Sequence, residues 1–74
     1  MYKAKDSYSM WNGDVLLEKR KYLDRTQMSM ARDLGISHRM YCYYESGEQE
    51  IPRSIELSVR YMERSKESDV VMPT

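Results

Sequence analysis

A chain of 74 residues with 12 Lys and Arg against 12 Asp and Glu has zero net charge. That excludes a polybasic arm or an overall basic coat, and leaves nucleic-acid binding open only through segregated charge. One cysteine excludes an internal disulfide and any multi-cysteine zinc site, and no run of about 18 apolar residues offers a membrane span.

The N-terminal MYKAKDSYSM lacks the apolar stretch of a signal peptide, and a lone thiol fits a reducing, cytoplasmic setting. The initial Met and the length lead us to expect one complete small domain, 1–74. Its ordered core should cover about 11–65, with weakly ordered ends at roughly 1–10 and 66–74. A domain this small buries only about 60% of its unfolded surface, so self-association is the remaining route to added stability. Basic residues outnumber acidic ones up to Gly47, and the balance reverses beyond it.

Phe is absent and β-branched residues are scarce, which disfavours a sheet. Residues 14–23, DVLLEKRKYL, predict a first helix, with Val15, Leu16, Lys19 and Leu23 on one stripe and Asp14 as a cap or first-turn anion. Residues 26–34, TQMSMARDL, predict a second helix. Thr26 suits its N-cap, Met30, Ala31 and Leu34 form its apolar face, and Gly35 stops it. Ser37 caps a third helix, HRMYCYYES, closed by Gly47. Only Gly35, Ile36 and Ser37 separate the second and third helices, so the two should cross steeply, with Ile36 plugging the angle.

EQEI after Gly47 reads as a polar loop, and Pro52 suits the first turn of a fourth helix continuing over 53–64. Ile55, Val59 and Met62 share one face of that helix. Leu57 and Tyr61 lie nearly opposite, so it needs a second neighbour, which could be another copy of the chain. The expectation is an all-α domain, a compact bundle of four to five helices.

His38 and Cys42 stand one turn apart, and both residue types bind metals. A structural zinc site needs about four ligands, and no other His or Cys exists to complete one. The pair also lacks the orienting third group of an activated nucleophile, and no Gly-rich phosphate loop occurs. No metal, cofactor or enzymatic activity is expected, and no ligand pocket is evident. On a wheel of about 100° steps, Tyr41 and Tyr44 fall together toward the core. Arg39, Cys42 and Tyr43 face outward, with His38 at their edge. An outward face of this kind suits the DNA major groove: Arg39 can donate two hydrogen bonds to a guanine, His38 can donate or accept, and Tyr43 can meet a thymine methyl or a phosphate.

The stretch TQMSMARDLGISHRMYCYYESGEQEIPRS resembles the helix-turn-helix of the lambdoid phage repressors and Cro proteins. The resemblance spans about 14–62, on Thr26-Gln27, Ala31, Gly35, Ile36-Ser37, Tyr41, Tyr44, Glu45, Gly47 and Pro52. It implies that Gln27 bonds a phosphate and buttresses the third helix, that His38, Arg39 and Tyr43 read bases, and that Arg53 approaches the DNA backbone. It also implies a partly buried ion pair between Arg20 and Glu45. DLGISHRMYCYYES is further similar to the small anti-CRISPR-associated regulators of phages, which are dimeric autorepressors. Their basic residues early in the second helix are Met28 and Ser29 here, which puts phosphate contacts from that helix in doubt.

The resemblance implies a sequence-specific transcriptional regulator, an autorepressor that binds an inverted-repeat operator in double-stranded DNA as a homodimer. Its candidate DNA contacts are Thr26, Gln27, Ser37, His38, Arg39, Cys42, Tyr43 and Arg53, with Leu57 and Tyr61 at the dimer interface. The alternative is the DNA-binding antitoxin of a toxin–antitoxin pair. The short segment after the fourth helix disfavours it, because such a partner needs a longer one to wrap a toxin.

Overall fold

A computed structural model describes residues 7–71, with side chains described to Glu67. The described residues form four helices and no strand: α1 (Gly13–Tyr22), α2 (Gln27–Leu34), α3 (His38–Ser46) and α4 (Arg53–Val71). None is long and apolar enough to cross a membrane.

Each of the first three helices begins at a side-chain cap. Asn12 Oδ1 accepts from the Val15 amide at 3.0 Å, Thr26 Oγ1 from Ser29 at 3.0 Å, and Ser37 Oγ from Met40 at 3.1 Å. Such caps satisfy an amide that the helix itself leaves unpaired. Asn12, not Asp14, therefore caps α1, because helical geometry starts one residue earlier than the charge pattern suggests. Asp14 keeps the role of first-turn anion, and Lys19, Arg20 and Lys21 stand in the last turn, both signs matching the helix dipole. Gly35 at φ 75° and Gly47 at φ 90° close α2 and α3 in the left-handed conformation that glycine adopts without strain.

The core is Leu16 and Leu23 from the α1 region, Met30 and Ala31 from α2, Tyr41 and Tyr44 from α3, and Ile51, Ile55 and Val59. Trp11, Leu34, Ile36, Met40 and Met62 pack around it. Ile36 thus plugs the α2–α3 turn from a half-buried position. Ile51 corrects the reading of EQEI as wholly polar, for it is 2% exposed and anchors the loop into the core.

Two expectations about the ends change. The chain is tied down from Tyr8 onward: Ser9 N–H donates to Ile51 O at 2.7 Å and Tyr8 bridges Pro52 in antiparallel fashion. Ser9 Oγ also donates to Glu56 Oε1 at 2.7 Å. At the other end α4 runs on to Val71 instead of stopping near residue 64. Lys19 pairs with Glu63 at 2.9 Å, Lys66 donates to Tyr22 O, and Tyr22 lies 3.5 Å from Glu67, so polar bonds to α1 carry the helix past Met62, the last residue of its core-facing stripe. The expectations for residues 1–6 and 72–74 lie outside the described residues.

Candidate nucleic-acid interface

The candidate face is the side of α3 turned away from the core. His38 and Arg39 are exposed, and Cys42 and Tyr43 are half-buried beside them. Opposite, Tyr41 is fully buried and Tyr44 nearly so. The two groups of tyrosines divide as their helical spacing predicts. Neither α2 nor α3 carries an acidic residue in its first turn, so both N-termini present their partial positive charge without a side-chain anion to cancel it.

Behind this face Glu45 gathers three elements onto one carboxylate. Arg20 of α1 donates to Oε2 through Nε at 2.7 Å and reaches Oε1 through Nη2 at 3.4 Å. Gln27 of α2 donates through Nε2 to Oε1 at 2.9 Å, and the Tyr41 hydroxyl donates to Oε2 at 2.6 Å. Arg20 Nη1 also donates to Arg25 O at 3.1 Å, which draws in the α1–α2 loop. Burial alone would raise the Glu45 carboxyl. The hydrogen bonds from Arg20, Tyr41 and Gln27 outweigh it and hold the group below the ordinary carboxylate range. Tyr41 moves the other way, well above the usual phenol value, through burial first and then the bond to Glu45.

The Arg20–Glu45 ion pair that the family resemblance implied is present. Gln27 fills the buttressing half of its implied role: it bonds Glu45 with its amide nitrogen, and its Oε1 lies 3.6 Å from Cys42 Sγ. Cys42 therefore meets the second helix, and among the described residues no cluster of three or more His, Cys, Asp or Glu could hold a metal. Thr26 and Ser37 stand exposed at the starts of α2 and α3, and Arg53 is exposed at the start of α4.

Leu57 and Tyr61 lie on a separate surface. They are 54% and 70% exposed on α4 and line a groove of ≈ 580 Å3 with Arg25, Asp33 and Met62. Arg25 and Asp33 pair with each other there.

Three features went unread in the sequence. Tyr41 was taken as plain core, though its four-residue spacing from Glu45 signals the hydrogen bond. Gly13 lies against the last turn of α3: a Cβ there would stand 2.0 Å from Glu45 O and 3.0 Å from Tyr44 O. No sequence signal marks that approach. An open groove of ≈ 600 Å3 also runs beside residues 8–13 and 47–51. No family model, curated protein or solved structure matches the chain.

Proposed function

We propose that this chain is a sequence-specific double-stranded DNA-binding regulator of the lambdoid repressor and Cro type, a phage or prophage autorepressor of the anti-CRISPR-associated kind. In this reading α2 and α3 form a helix-turn-helix across Gly35-Ile36-Ser37, and α3 enters the major groove. Arg39 and His38 contact base edges near the helix N-terminus, and Tyr43 contacts a base or phosphate one turn later. Thr26, Gln27, Ser37 and Arg53 serve the backbone, and Cys42 is small enough to let the helix approach. A homodimer formed through Leu57 and Tyr61 reads an inverted repeat with half-sites about 10 bp or a multiple apart.

The observation that carries the reading is the mounting of α3. Arg20, Gln27 and Tyr41 fix the carboxylate of Glu45 from one side, while Arg39 and His38 stand exposed on the other. A helix held rigidly from behind keeps its outward side chains pre-organised, which lowers the entropic cost of recognition.

Selection of bound fragments from a random DNA pool tests the proposal. The expected product is an enriched inverted repeat. On that repeat, Arg39→Ala should cost roughly 1–3 kcal/mol of specific binding. No enrichment over input, or equal operator affinity for Arg39→Ala and wild type, counts against it.

A further inference from the structure

The groove beside Tyr8 to Gly13 has fixed walls. The Ser9–Ile51 hydrogen bond and the Tyr8–Pro52 bridge pin the N-terminal segment to the loop between α3 and α4. The groove opens between them with a volume of ≈ 600 Å3. Tyr8, Trp11, Tyr44 and Ile51 supply aromatic and aliphatic wall. Among the described lining residues Glu50 is the one charged side chain, and it has no ion-pair partner among the described residues.

Trp11 is already engaged on its own ring. Lys19 and Arg60 lie 5.3 and 5.2 Å from its centroid, and each also pairs with a carboxylate, Glu63 or Glu56. The aromatic surface left for a guest is that of Tyr8, 42% exposed, since Tyr44 is buried. Met10, 97% exposed, adds an apolar rim.

We propose that this groove binds a small organic ammonium with an aromatic or aliphatic body, its cation over the Tyr8 ring and beside the Glu50 carboxylate. Charge complementarity selects the class. Among the described residues the bases nearest the groove, Lys19 and Arg60 at Trp11, are each paired with a carboxylate, so an anionic guest would meet the unpaired Glu50, and a neutral one would forgo both the carboxylate and the negative ring face. The volume falls within the span of about 300–1,000 Å3 typical of small-molecule sites. The site is independent of the DNA reading, since it adjoins the C-terminal end of α3 and the candidate base contacts cluster toward the other.

Trp11 is the chain's only tryptophan, so its emission reports on the groove. The full chain is titrated with benzylammonium, benzyl alcohol and benzoate, three charges on one aromatic body, at constant ionic strength. The expected result is saturable binding of benzylammonium, weaker by about tenfold for benzyl alcohol and weaker still for benzoate. Glu50→Gln, an exposed loop substitution, should weaken benzylammonium to near the neutral probe while leaving the circular dichroism and melting of the protein unchanged. Tyr8→Leu should weaken it as well, and amide NMR shifts on titration should centre on Tyr8 and Glu50. Equal binding of the three probes, unchanged affinity in Glu50→Gln, or no saturation by benzylammonium at millimolar concentration overturns the proposal.

Discussion

Glu45 sits near the end of a helix, where a negative charge opposes the helix dipole. Its position makes sense only with its partners: one guanidinium, one amide and one phenol converge on two oxygens. Removing one donor leaves the others, so single losses should be graded. Tyr41→Phe should cost about 1–2 kcal/mol, because the buried ring stays and only a hydrogen bond to a charge is lost; urea denaturation measures it. The pH dependence has a definite sign. Glu45 is depressed in the folded state, so its contribution is complete above its ordinary value of about 4.3 and is lost as pH falls through the lower folded value. Glu45→Gln should therefore lose less stability than wild type between neutral pH and pH of about 3. Glu56, also depressed by its bonds with Ser9 and Arg60, keeps some acid sensitivity in the variant. At this scale the sequence was partly legible. The wheel placed Tyr41 and Tyr44 inward and Arg39 outward, whereas the Arg20–Glu45 pair came only from the family resemblance, because 25 residues of chain separate its partners.

Among the elements, the helices with a capping residue and a closing glycine were read nearly to the residue. Thr26 with Gly35, and Ser37 with Gly47, encode their own limits. α4 was read too short because its last turns, rich in Ser, Lys and Glu, lack an apolar period. Their support is cross-helical, from Lys19, Tyr22 and Lys66, and such pairing leaves no periodic trace. In the proposed homodimer a second copy docks on the Leu57–Tyr61 side of α4. If the dimer proposed above forms there, Tyr61→Asp should shift the sedimentation equilibrium toward monomer without loss of helical circular dichroism. A variant that still dimerises with wild-type affinity removes that interface.

For the whole molecule, the N-terminal segment acts as a tie. Ser9 is its knot: its amide donates to Ile51 O, its hydroxyl donates to Glu56, and the Trp11 amide donates to that same hydroxyl at 2.9 Å. Ser9→Ala leaves the main-chain bond and removes two others, so it should cost about 1–2 kcal/mol. Trp11 emission during chemical denaturation checks this, and a midpoint equal to wild type contradicts it. The sequence offered an all-α architecture but no hint of this closure, because a serine in a polar stretch resembles any loop serine until its partners, 42 and 47 residues away, are brought to it.

Gly13 has a consequence for how such a molecule can change. The start of α1 rests directly on the carbonyls that end α3, main chain against main chain. The mount of α3 is thus built from backbone and from residues on its inward side, none of which is a proposed base contact. The outward letters of α3 can be rewritten by mutation while the frame beneath them is inherited unchanged. If α3 reads DNA as proposed, a lineage carrying this scaffold can therefore acquire a new target without passing through an unfolded ancestor.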